Sequence, residues 1–217
     1  MKGHKLVSKS RHAAYNQILR YDGKSGASLG AFASGGPLAF PRGMAFGPDG
    51  SLFVANYNGA SVLHYSATGT FLNTFVSPGS GGLLTPDDLV FGPDGNLYVT
   101  GGALPNAGVL RYNGVTGAFM GQFAFAGGNN STLDLAFGPD GDLYVTTSGT
   151  ADGVLRFDGQ TGALLGDFVA SGSGGLGSPF GVAFSPVPEP SCLALLAVAV
   201  VLVPAQRWSR RTESAKI

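Results

Sequence analysis

Apolar residues in this 217-residue chain fall in short runs bounded by Gly, Pro, Asp or Asn, too brief for an amphipathic helix and suited to strands. The runs recur. Phe-Gly-Pro-Asp-Gly stands at Phe46–Gly50, Phe91–Gly95 and Phe137–Gly141, at intervals of 45 and 46 residues, and a degenerate Ala183-Phe184-Ser185-Pro186 follows 47 residues beyond Phe137. A second motif keeps the period out of phase: ILRYDGKSG at Ile18–Gly26, VLHYSATG at Val62–Gly69, VLRYNGVTG at Val109–Gly117 and VLRFDGQTG at Val154–Gly162. Each repeat predicts four strands, in the third Leu135–Gly138, Leu143–Thr147, Gly153–Asp158 and Ala163–Val169. Gly-Pro-Asp-Gly is turn chemistry: proline presets φ at the second position, aspartate bonds nearby backbone N–H groups, and glycine accepts positive φ. Alternation within the runs is weak, as expected of sheets packed on both faces.

Composition agrees. Glycine supplies 36 residues and charged residues only 12%, which argues against long solvated helices, while 44% hydrophobic residues argue against a disordered linker. The formal charge of zero conceals segregation. Residues 21–190 carry four basic residues against eleven aspartates and Glu189, whereas five basic residues fall in 1–20 and four in 191–217. An acidic body repels phosphates, which excludes nucleic acid as a partner. Cys192 is the single cysteine, so neither an intramolecular disulfide nor a cysteine zinc cluster can form.

Four-stranded units at this spacing are the signature of propeller blades, small sheets packed radially because a lone sheet cannot bury both faces. The expected fold is all-β and β-propeller-like, with about four blades of four short antiparallel strands. Residues 18–186 form this body, with full repeats at 46–90, 91–136 and 137–183. Ile18–Phe32 supplies strands three and four and Gly181–Phe184 a strand one, so the two pieces could share an incomplete closing blade; an open fragment of a larger propeller is the other outcome. Residues 1–17 read as a basic leader, disordered or a mis-assigned start, because no apolar core of an export signal follows Lys2, Lys5, Lys9 and Arg11.

Residues 187–217 differ in kind. After Val-Pro-Glu-Pro comes an uncharged run from Cys192 to Ala205, then Gln-Arg-Trp-Ser-Arg-Arg. A helix over 191–208 would span about 27 Å, close to a bilayer's hydrocarbon core, with Arg207, Arg210 and Arg211 flanking it on the cytoplasmic side. The order of Val187-Pro188-Glu189-Pro190, apolar span and terminal arginines resembles the PEP-CTERM sorting signal. The resemblance covers about 25 residues. It implies recognition of Pro188, Glu189 and Pro190 by an exosortase-type membrane transpeptidase, and hence a cell-surface or extracellular protein in bacteria that make extracellular polysaccharide. Residues 18–186 resemble NHL-type and related six-bladed propellers through apolar-x-Phe-Gly-Pro-Asp-Gly-x-Leu-Tyr-Val and the following Val-Leu-Arg-Tyr.

Candidate chemistry is sparse. Asp49, Asp94 and Asp140 are explained by their turns. Asp88 and Asp134 precede strand one where Gly43 and Gly181 stand in the other repeats, so they are the candidates for holding a cation or polar ligand near the axis. His64 replaces Arg20, Arg111 and Arg156 of the other repeats, at a position expected to be exposed. No catalytic residues, metal set or cofactor motif can be assembled from known spacings. These features predict a non-enzymatic binding or structural protein whose partners are the transpeptidase, the membrane and extracellular polysaccharide or a surface protein. A lactonase or streptogramin-lyase type enzyme and a truncated gene fragment are the alternatives.

Overall fold

The computed structural model describes residues 16–101, 107–127 and 130–185, and of 4–9 the backbone alone. Strands β1 (His4–Lys9), β2 (Gln17–Asp22) and β3 (Ser28–Ser34) form a three-stranded sheet. Three four-stranded sheets follow. They are β4 (Pro41–Phe46), β5 (Leu52–Asn56), β6 (Ser61–Tyr65) and β7 (Phe71–Val76); then β8 (Leu89–Phe91), β9 (Leu97–Gly101), β10 (Gly108–Tyr112) and β11 (Phe119–Phe125); then β12 (Ser131–Phe137), β13 (Leu143–Ser148), β14 (Gly153–Phe157) and β15 (Leu164–Val169). Every sheet runs antiparallel in chain order, as short turns between sequential strands dictate.

Two expectations are corrected. The stretch read as a leader contains β1, paired with β2 from His4↔Asp22 to Lys9↔Gln17, because the backbone edge of β2 templates a partner whatever its composition. Residues 181–185 do not complete that first sheet; among the described residues they join no strand. They are held instead at the fourth sheet, where the Val182 N–H donates to Asp134 Oδ2 at 2.6 Å and the Phe184 ring meets Tyr144 at 4.8 Å. The sheets also begin about one strand earlier than the motif-based repeat boundaries, since strand one precedes Gly-Pro-Asp-Gly.

The turns form as the sequence predicts. Gly50, Gly95 and Gly141 each donate their N–H to the carbonyl three residues back, at 2.9, 2.9 and 3.0 Å, and all three have positive φ. Asp49 Oδ1 accepts the Ser51 N–H at 3.0 Å, and Asp94 and Asp140 repeat the bond with Asn96 and Asp142 at 3.0 and 3.2 Å. These aspartates close turns.

Consecutive sheets bury three apolar clusters between them. The first includes Ile18, Leu52, Val54 and Leu63, the second Val62, Leu83, Leu97 and Val99, the third Val109, Leu135, Leu143 and Val145. One aromatic pattern recurs in each repeat. Phe53 meets Phe75 of its own sheet at 4.8 Å and Phe91 of the next at 5.0 Å; Tyr98 meets Phe123 and Phe137 at 4.8 and 5.1 Å; Tyr144 meets Phe168 and Phe184 at 4.7 and 4.8 Å. All are edge-on or tilted, the arrangement aromatic quadrupoles favour. Glycine completes the seam. Gly69, Gly117 and Gly162 have positive φ, and a Cβ on any of them would collide with the carbonyl oxygen of Phe32, Phe75 or Phe123 in the preceding sheet.

Candidate functional site

Counting four residues back from Phe46, Phe91, Phe137 and Phe184 gives Arg42, Asp87, Leu133 and Phe180. These equivalent positions converge. All four line one cleft of about 510 Å³, together with Tyr57, Leu84, Thr85, Ser131, Thr132 and Ser148. Strand-one starts from successive sheets therefore share one mouth, the place where propellers hold ligands.

The first side of the mouth is an ion pair. Arg42 bridges to Asp87 of the next sheet, their side chains 32% and 13% exposed, and the guanidinium lies 3.8 Å from the centroid of the Tyr57 ring. Burial lowers the Arg42 pKa, with the nearby Tyr57 opposing it. The backbone repeats the link, since the Gly43 N–H donates to the Asp87 carbonyl at 2.8 Å. Glycine is required there because a Cβ on Gly43 would collide with the Asp88 carboxyl.

One residue further along, Asp88 and Asp134 meet. Their carboxyls hydrogen-bond to each other, while the N–H groups of Leu89 and Leu135 point at Asp88. Burial, then the shared hydrogen bond and the repulsion of Asp134, push the Asp88 pKa up to about 9. The Asp88 carboxyl is thereby held toward its neutral form, whose O–H can donate to Asp134. Asp134 repeats the motif by accepting the Val182 N–H, so each carboxyl reaches backbone at the equivalent position of the following repeat.

Two threonines set the acids. Thr100 Oγ1 accepts the Asp88 N–H at 2.8 Å, and Thr146 Oγ1 accepts the Asp134 N–H at 3.0 Å. Register breaks between Pro41 and Met44 and between Thr132 and Leu135 fall at these positions, and such bulges re-aim side chains. The sequence reading placed Asp88 and Asp134 at equivalent strand-one starts, and the structure brings them together. It missed Arg42, Asp87 and the threonines. Their signal is the column one residue before the acids and the constant 12-residue interval from Asp88 to Thr100 and Asp134 to Thr146.

Other candidates lie elsewhere. His64 is half-buried rather than exposed: its ring stacks on Phe53 at 4.2 Å and lies edge-on to Phe75 at 5.9 Å, in the place where Arg111 of the next repeat lies 5.6 Å from the Phe123 ring. Burial lowers its pKa. Among the described residues no three His, Cys, Asp or Glu side chains cluster to hold a metal ion. Pro188, Glu189, Pro190, Arg207, Arg210, Arg211 and the expected helix 191–208 lie outside the described residues; within those, no helix is long and apolar enough to cross a membrane.

Comparison with solved structures settles the architecture. The chain superposes on catalytically inactive virginiamycin B lyase from Staphylococcus aureus with quinupristin (TM-score 0.58, 20% identity, 75% of this chain and 51% of that one). The fold is β-propeller-like. A gluconolactonase from Xanthomonas campestris gives a TM-score of 0.55 at 21% identity, over 68% of this chain and 52% of that one. Hydrazine synthase from Kuenenia stuttgartiensis gives 0.57 at 18%, over 71% and 43%. The chain thus spans about half the length of these proteins. No family model and no curated protein matches the sequence.

Proposed function

We propose that this protein is a non-catalytic β-propeller module that binds a saccharide-like ligand at the strand-one mouth and is displayed outside the cell. The carrying observation is the cleft itself: the hydroxyl-bearing residues Tyr57, Thr85, Ser131 and Ser148 line it together with the largely exposed ring of Phe180. Hydroxyls exchange hydrogen bonds with a polyol, and rings cover its apolar faces. The Val-Pro-Glu-Pro signal and terminal arginines supply delivery, through an exosortase-type transpeptidase, into a setting where extracellular polysaccharide is the abundant polyol.

Calorimetry of the full chain with oligosaccharides cut from bacterial extracellular polysaccharide tests the binding reading. Saturable heat that Tyr57→Ala weakens at least tenfold supports it; no heat with neutral or acidic oligosaccharides defeats it. Likeness to a lyase and a gluconolactonase gives an enzymatic reading one foothold, the hydrogen-bonded Asp88–Asp134 pair as acid and base. Turnover of gluconolactone or a streptogramin B that disappears in both Asp88→Asn and Asp134→Asn would establish that reading instead. Sorting is tested by deleting 187–217 and fractionating cells; a body that partitions as before defeats the signal's role.

A further inference from the structure

Each contact between consecutive sheets contains a plug and a socket. The plug is the glycine that ends the turn between strands three and four; the socket is the carbonyl and ring of the preceding sheet's strand-four phenylalanine. Gly69 sits on Phe32, Gly117 on Phe75 and Gly162 on Phe123, each so closely that no Cβ fits. Phe32, Phe75 and Phe123 are half-buried as a result.

Among the described residues one plug and one socket are left over. Gly26, at the equivalent place in the turn between β2 and β3, has the same positive φ but open space where Gly69, Gly117 and Gly162 meet a carbonyl. Phe168 on β15 is the equivalent of Phe75 and Phe123, yet it is 53% exposed and no described glycine stands against it. The first and fourth sheets therefore present the complementary halves of a contact that the protein makes three times internally, and they do not make it with each other.

We propose that a second copy of this chain supplies the missing partner: Gly26 of each copy docks on the Phe168 carbonyl of the other. Each copy offers one plug and one socket, so a twofold arrangement that engages both is the smallest assembly leaving neither unfilled. The occupant is specified by shape: the socket fits a turn with no Cβ at its apex, and the first sheet carries such a turn unoccupied.

Light scattering of the full chain in mild detergent, across a hundredfold concentration range, should give twice the 22.0 kDa chain mass. Gly26→Asn is the decisive variant. Asparagine tolerates positive φ, and the space at Gly26 in a single chain is open, so the fold persists by circular dichroism while the added Cβ blocks docking. Its expected result is complete loss of the dimer. Phe168→Ser, on the opposite face, should do the same. A wild-type monomer at all concentrations overturns the proposal, as does a dimer that survives Gly26→Asn, which would place the contact elsewhere.

Discussion

The seam between sheets and the mouth at the strand-one starts are built from the same repeats by opposite rules. In the seam, a residue and its equivalents do the same thing: Phe53, Tyr98 and Tyr144 each lie between two phenylalanines, and Gly69, Gly117 and Gly162 each press on a carbonyl. At the mouth, equivalents diverge into Arg42, Asp87, Leu133 and Phe180, and into Gly43, Asp88, Asp134 and Gly181. Repetition makes an interface that can be stacked indefinitely. Divergence makes a site, since a ligand needs different groups on its different sides.

That contrast makes the seam the costlier place to damage. Tyr98→Ala removes a buried ring from the third seam and should cost about 3–5 kcal/mol, whereas Arg42→Gln, which breaks a partly exposed pair, should cost about 1 kcal/mol or less. Urea titrations of both variants check the ranking. If Arg42→Gln destabilised more than Tyr98→Ala, the mouth rather than the seam would hold the sheets together.

A finer cut separates two reasons for glycine. Gly141 has positive φ and open space; Gly117 has positive φ and the Phe75 carbonyl against it. Alanine at Gly141 should cost about 1 kcal/mol, from backbone strain alone. At Gly117 the sheets must also part, and the loss should be about twice that or more. Equal losses in thermal melts would mean that the seam yields easily.

The repeats and their turns were legible from sequence because the Gly-Pro-Asp-Gly turn stands at a fixed period and each turn residue has a local physical reason; that Gly69, Gly117 and Gly162 also press on a carbonyl was not, since that contact lies across sheets. Asp88 and Asp134 were legible as positions, through their offset from the turn. What they do was not, because two carboxyls 46 residues apart hydrogen-bond to each other only when neighbouring sheets bring them together. Arg42 and Asp87 escaped for the same reason: their pairing is a property of the interface, absent from either repeat. His64 was misplaced because its burial comes from Phe75 and Phe53, not from its neighbours in sequence.

The smallest expected effect tests the contrast within one residue type. Asp140, in a turn, accepts the Tyr144 hydroxyl at 2.8 Å, and that bond leads the causes that hold its pKa below the ordinary value. Its stabilising effect is present above the unfolded pKa and is lost as pH falls through the folded one. Asp88 has the opposite sign. Its folded pKa is raised, so the native state binds a proton that the unfolded chain has released; stability is full below about pH 4, declines as pH rises, and levels off above about 9. Asp88→Asn fixes the neutral state, because a carboxamide can donate to Asp134 and accept from the Leu89 and Leu135 N–H groups as the protonated acid does. It should match wild type near pH 4 and exceed it by a margin that grows as pH rises toward 9, where wild type has lost the contribution of its bound proton. Asp140→Asn should instead lose its disadvantage as pH falls. Melting both variants and wild type from pH 4 to 9 reads the two slopes, and parallel curves for wild type and Asp88→Asn would mean that the mouth carboxyls ionise independently, as turn aspartates do.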